Sequence, residues 1–192
     1  MKNEPHFSDF ILLPEYFDHS GSLHGIGHTY RVMTLAYELG NRLSLIRERN
    51  LAFMAAFIHD MARKHDGFCT RHGKKAVETK LPVFKDLFLS NGATEKDIPE
   101  IAFAVHYHCK YFQPSRKHPY FLTLAILKDA DALDRIRLGE NNLDPRFLRF
   151  PESHHMIDYA RDLYRRSGEK KINVLNIYGN FKKDIFGNLM NE

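Results

Sequence analysis

Apolar residues recur along most of this chain at spacings of three and four, the pattern of helices that bury one face. From His28 to Leu45 they fall at Val32, Leu35, Ala36, Leu39 and Leu43. The next stretch, carrying Leu51, Ala52, Met54, Ala55, Phe57 and Ile58, is apolar nearly all round. That predicts a helix enclosed at the domain centre, and it runs out at His59-Asp60. A polar loop, RKHDGFC, leads to a predicted helix from about Thr70 to Lys80, which Pro82 helps to terminate, with Leu87 and Phe88 on a short following segment. Thr94 to His108 predicts another helix, with Ile98, Ile101, Ala102 and Val105 on one stripe and Asp97 reaching back to Thr94 as a rough capping box. Phe121 to Ile136 is a second buried helix, with Leu124, Ala125, Leu127 and Ala130 ahead of an acidic cluster. Between 141 and 151 a loop surrounds a one-turn helix that Asp144 caps and Pro145 opens. Ser153 to Arg166 is the last clear helix, the tail 170–192 is ambiguous, and no alternating pattern supports a sheet. The expected class is all-α.

Length and composition narrow the setting. At 192 residues the chain suits one domain, which hides roughly 70% of the surface its unfolded form exposes. Cys69 and Cys109 lie far apart without CxxC spacing, so neither a disulfide framework nor a cysteine zinc knuckle is indicated. No stretch approaches the roughly 20 apolar residues of a membrane span, and the N-terminus lacks a signal-peptide pattern. The expectation is a soluble, unprocessed, cytoplasmic protein. A net charge of +4 with a pI near 9.0 suits an anionic small molecule and is too mild to argue for a nucleic-acid groove.

Candidate chemistry sits at helix ends and faces. His28, the adjacent pair His59-Asp60, and Asp131 inside KDADALDR supply two imidazoles and two carboxylates, a nitrogen and oxygen set suited to a divalent metal. Neighbouring residues on a regular helix diverge by about 100°, so His59 and Asp60 reach one ion only where other elements surround the helix end. A His-Asp pair alone is weak evidence, since His65-Asp66 repeats it in a polar loop. Context separates the two: a charge ending the most apolar helix is costly unless paired or metal-bound. The competing reading is a His-Asp hydrogen bond that caps a core helix.

In order, HGIGHTYRV, AAFIHDMAR, RHG with Ala76, AVHYHC and ILKDADALDR run from about His24 to Arg137. On these motifs the chain resembles the HD superfamily of metal-dependent phosphohydrolases. The resemblance implies a multi-helix bundle with a metal centre between helices, one domain over residues 1–192, a motif-bearing core at about 24–137 and a C-terminal helical extension over 138–192. It implies His28, His59, Asp60 and Asp131 as metal ligands; the pattern Ala-Asp-x-Leu selects Asp131 over Asp129. Asp129 and Asp134 become residues that orient ligands or basic side chains. His72 and His108, and less surely His106, match positions that bind a second metal or touch substrate phosphate, with Asp60 bridging two ions. Asp60, His72 and His108 are thus the expected catalytic residues. His24, one turn before His28, is either a proton donor or a supporting residue that leads into the helix.

One position departs from the family pattern. Many single-metal members carry an acid three residues beyond the HD aspartate, where this chain has Arg63, so no general base carries over. Arg63, Lys64, Arg135 and Arg137 are candidates to neutralise phosphate oxygens, and Arg31 faces acidic neighbours or substrate at a pocket rim. The ligand set suits manganese, iron, cobalt, nickel or zinc, as one or two ions, with manganese or iron favoured. The implied activity is hydrolysis of a nucleotide or nucleotide-like phosphoester, as a phosphomonoesterase or phosphodiesterase. The alternative is a non-catalytic, metal-containing nucleotide sensor, which Arg63 favours and the intact ligand set opposes. YFQPSRKHPY combines aromatic and basic residues that suit a base and a phosphate, and DPRFLRF, with Arg146 and Arg149, is a candidate to line the same opening. The apolar tail INVLNIYGNF leaves homo-oligomerisation open.

Overall fold

The periodic stretches are helices in the computed structural model, which describes residues 4–19, 21 and 23–169. The α-helices are α1 (Ile26–Arg42), α2 (Ile46–Ile58), α3 (His72–Thr79), α4 (Leu81–Ser90), α5 (Ile98–Tyr107), α6 (Phe121–Leu133), α7 (Pro151–His155) and α8 (Ile157–Glu169). Short 3-10 turns join several of them, and no strand occurs among the described residues. None of these helices is long and apolar enough to cross a membrane.

The core is built around α2, as its unbroken apolar surface demands. From Leu51 to Ile58 no residue is more than 3% exposed, because α1, α5 and α6 all pack on it. Of the predicted stripe Val32, Leu35, Ala36 and Leu39 are buried, with Tyr30, Met33 and Tyr37 beside them, while Leu43, just past α1, is half-buried. The N-terminal segment adds a lid of aromatic rings: Phe10 meets Phe53 and Phe57 edge-on at 4.9 and 5.3 Å, and Phe7 meets Tyr37 at 5.0 Å. Such edge-to-face pairs contribute about 0.5–1.5 kcal/mol each beyond their buried area.

Several boundaries differ from the sequence reading. α1 stops at Arg42 because Ser44 turns left-handed, with φ 55°. Leu45 N donates to Gly40 O and Ser44 N to Asn41 O, a Schellman ending with serine where glycine is usual. Pro82 does not end a helix; it occupies the second position of α4, where its missing N–H costs nothing. The segment around Leu87 and Phe88 is therefore a full helix that buries Leu81, Phe84 and Phe88. α5 begins at Ile98, and the Asp97 carboxylate accepts from Thr94 N at 2.8 Å and Thr94 Oγ1 at 2.6 Å. Asp144 accepts from Arg146 N at 3.0 Å, the expected cap. The expected final helix is two, α7 and α8, broken at Met156, whose side chain is fully buried. The tail 170–192 lies outside the described residues, so of the expected extension only the part through 169 is described.

α3 lies against α5 at a spacing that only glycine allows. A Cβ on Gly73 would stand 2.4 Å from Val105 O and 3.0 Å from His106 O. Both are backbone atoms that cannot swing aside. Gly73→Ala is therefore expected to destabilise the protein by about 1–3 kcal/mol, the usual cost of overpacking. A urea midpoint equal to that of the unaltered protein would show that the α3–α5 contact is looser than this.

Candidate metal centre

Helix ends converge on one buried point. The α-helical repeat of α2 ends at Ile58, and the backbone continues through tighter turns, with Met61 N bonded to Ile58 O and Arg63 N to Asp60 O. His59 and Asp60 therefore sit on the terminal turn, their ring nitrogen and carboxylate 3.7 Å apart. His28 comes from the first turn of α1, and Asp131 from α6. His72 opens α3, and His108 follows the last residue of α5. The carboxyl ends of α2 and α5 both face this point, and the partial negative charge there favours a cation.

Each imidazole is held from behind. His59 Nδ1 donates to Ala56 O at 2.7 Å and His108 Nδ1 to Val105 O at 2.7 Å. These carbonyls belong to last helical turns and would otherwise lack a donor. His28 Nδ1 donates to Asp134 Oδ2 at 2.7 Å. In all three rings the proton is thus on Nδ1, leaving the Nε2 lone pair facing the centre. His28 Nε2 and His59 Nε2 are 3.1 Å apart, and both side chains are fully buried. Two ligands at about 2.1 Å from one ion and at right angles stand roughly 3.0 Å apart. The spacing and the lone pairs fit a divalent cation. Burial pushes His59 down to about 3, so it stays neutral, the form a metal needs.

Asp60 connects two groups of donors. Its Oδ2 lies 3.4 Å from His28 Nε2, while Oδ1 lies 2.9 Å from His72 Nε2 and 3.5 Å from His108 Nε2. Burial alone would raise its pKa, but His59 and the hydrogen bonds with His108, His28 and His72 hold the carboxyl well below the usual range. Asp131 Oδ1 approaches His28 Nε2 to 3.5 Å, and its side chain is 33% exposed while those of the other three are nearly sealed. Asp131 marks the open side. The second group contains a residue the sequence reading passed over: Cys109, whose sulfur lies within 4.8 Å of nitrogen donors of His72 and His108. Its place directly after His108 in HYHC was the available signal. Burial raises the Cys109 thiol's pKa. The second group is also less prepared, because the buried His72 Nδ1 has no hydrogen-bond partner.

The remaining candidates divide by position. Asp134 supports His28 and is itself clamped by Arg31 Nε at 2.5 Å and Arg31 Nη2 at 3.1 Å, with Arg137 Nη1 at 3.4 Å. Burial works against its charge, but His28 and Arg31 hold its carboxyl below the ordinary value. Arg31 thus lies on the Nδ1 side of His28, away from the converging Nε2 atoms, with its guanidinium 5.1 Å from the Tyr164 ring centroid. Its acidic neighbour is found, but it is not on a pocket rim. Arg63 Nε stands 3.1 Å from Asp60 Oδ1 and Nη1 holds Gly67 O, so this arginine does border the centre. Arg135 does not: it is exposed and donates to Asn142 O. His106 turns from the cluster to Lys110, 2.6 Å away. Asp129 touches none of the ligands and instead binds Arg149, Phe150 and Ser153. His24 packs edge-on to His28 at 5.7 Å and pairs with Asp66 at 3.0 Å. Lys128, unassigned from sequence although it is the first letter of KDADALDR, donates to Lys110 O and Phe112 O; burial pushes it down to about 8.

A solved structure of a predicted HD superfamily hydrolase from an uncultured Thermotogales bacterium is similar to this chain, with a TM-score of 0.57 and 25% identity over 87% of this chain and 90% of that one. No curated protein matches the chain. A model of the HD domain matches residues 25–136, a span that holds every donor in the two groups. The chain belongs to the HD domain family.

Proposed function

We propose that this protein is a metal-dependent hydrolase of phosphoesters, acting on a nucleotide or nucleotide-like substrate. The observation that carries the reading is the pair of buried imidazole lone pairs of His28 and His59, 3.1 Å apart, with Asp60 reaching from them to His72 and His108. His28, His59, Asp60 and Asp131 would hold the first ion, and Asp60, His72 and His108 a second. A divalent ion in such a site supplies Lewis acidity, which makes water a nucleophile at neutral pH and polarises a phosphoryl oxygen. The family's transition metals suit these donors, and the Cys109 sulfur beside the second group inclines that position towards zinc or iron over magnesium.

The chain's own groups then have distinct tasks. Asp131, on the open side, lies where a substrate enters. Arg63, at the border, is placed to meet phosphate oxygens through the edge of its guanidinium not engaged with Asp60 and the loop carbonyls. His24, oriented by Asp66, stands next to His28 and is a candidate to hand a proton to the leaving group. Asp134 acts through His28 by fixing which nitrogen carries the proton.

Purified protein loaded with manganese is expected to hydrolyse at least one substrate in a panel of p-nitrophenyl phosphate, cyclic dinucleotides and nucleoside di- and triphosphates, with EDTA abolishing turnover. Bound metal with no turnover on any of them would turn the reading to a nucleotide sensor, the alternative that Arg63 in place of an acid favours. His59→Ala should reduce bound metal, measured by elemental analysis, to under about a tenth of the unaltered protein's content, given the loss of a buried ligand; unchanged content would falsify the site. Asp134→Asn should weaken metal affinity by roughly 10–100-fold in a competition titration, as removal of such supporting carboxylates does elsewhere. An unchanged affinity would mean that His28 needs no support.

A further inference from the structure

Two loops that the metal centre does not use meet elsewhere in the fold. Arg116, from the aromatic and basic loop between α5 and α6, and Arg149, from the segment before α7, line one cavity of about 710 Å³ together with His154 and His155. Phe121 and Phe150 supply apolar surface, and no acidic residue lines it. That volume falls within the range of small-ligand sites, roughly 300–1,000 Å³.

The cavity wall is built before any ligand arrives. Asp129, fully buried on α6, accepts from Arg149 N at 2.7 Å, Phe150 N at 3.2 Å, Ser153 Oγ at 2.7 Å and Arg149 Nη1 at 2.9 Å. Arg149 Nε donates to Gln113 Oε1 at 2.9 Å, which ties the wall to the loop that carries Arg116. These bonds occupy Nε and Nη1 of Arg149 and leave Nη2 for a ligand. Arg116 forms no hydrogen bond or ion pair among the described residues. One guanidinium is thus half committed and the other uncommitted, over aromatic surface with no carboxylate lining the space. Planar guanidinium groups grip phosphate by paired hydrogen bonds, and flat aromatic surface accepts a base.

We propose that this cavity is a second ligand site, separate from the metal centre, for a nucleoside phosphate: the phosphate meets Arg116 and Arg149, and the base covers Phe121 and Phe150. Phe121 opens α6 and Asp131 follows ten residues later on that helix, a distance of roughly 15 Å along its axis. No metal-centre residue lines the cavity. The site is independent of what the metal centre hydrolyses.

The test is equilibrium dialysis of ADP against the full chain stripped of metal with EDTA. Saturable binding is expected, weakened by about tenfold or more in Arg116→Glu and in His155→Glu, since each places a carboxylate beside the bound phosphate. Both positions are exposed, so neither substitution disturbs the core. Asp131→Asn should leave ADP binding unchanged, which separates this site from a substrate bound at the metal centre. Competition by AMP but not by adenosine would confirm that the arginines read phosphate. Absence of ADP binding to the stripped protein at millimolar concentration, binding that survives both glutamate substitutions, or loss of binding in Asp131→Asn would each overturn the proposal.

Discussion

Three imidazole rings whose Nδ1 protons are already committed dictate much of this structure. With His28, His59 and His108 anchored on Asp134, Ala56 O and Val105 O, their Nε2 lone pairs have one direction left, and it is shared. Two lone pairs buried at 3.1 Å from each other are electrostatically unfavourable until a positive charge, a proton or a metal ion, lies between them. The rest of the neighbourhood responds to that requirement. Asp60 and Asp131 bring negative charge, and the ends of α2 and α5 add their dipoles. On the far side of His28, Arg31 and Arg137 neutralise Asp134 so that its buried carboxylate does not cost several kcal/mol unpaired. Positive groups stand behind the ring and the space for a cation in front of it.

That arrangement explains which of the sequence motifs were readable. His59 and Asp60 stood out in the sequence because they end the most apolar helix, where an unpaired polar group is expensive, whereas His28 and Asp131 were picked out by the family motifs and not by their apolar surroundings. The enclosed character of α2 was legible for the same reason: apolar residues all round leave no face for water. Arg31 was harder. From sequence it is a basic residue beside a ligand, and only the position of Asp134, more than a hundred residues away, reveals that it turns from the opening. Arg135 and Arg137 are two residues apart in one 3-10 turn, yet one is pinned to an exposed loop carbonyl and the other to Asp134. Backbone geometry decides this, and no local pattern encodes it. His106 and His108 separate in the same way, because one turns to Lys110 while the other follows the helix end.

The helix boundaries misplaced from sequence have two different causes. Proline carries two meanings, a stop within a helix and a favoured start at its first turn. At Pro82 the second meaning applies, because Lys80 N donates the last bond of α3 to Ala76 O while Lys80 O accepts from Phe84 N. At Met156 the break between α7 and α8 carries no glycine or proline at all. The buried side chain there shows that tertiary packing, not propensity, sets the division.

The two donor groups are not equivalent, and the difference is physical. In the first, burial pushes His59 down to about 3, so its Nε2 stays unprotonated, while the burial of His28 is outweighed by its hydrogen bonds with Asp134 and Asp60, which raise it. In the second, His72 Nδ1 lacks a partner while its Nε2 lies 2.9 Å from both Asp60 Oδ1 and His108 Nε2. A proton on that Nε2 satisfies Asp60 in the absence of an ion, and an ion must displace it. A second ion held there would carry a proton cost, and that cost would fall on the carboxylate the groups share. Arg63, 3.1 Å from the same Oδ1, competes for it as well. Asp60 Oδ1 is thus shared between an imidazole and a guanidinium, and a second cation would have to compete with both, whereas Oδ2 faces only the first group. Occupancy of the second position depends on how that contest resolves, and the close packing of Gly73 against Val105 O and His106 O keeps His72 within reach of it.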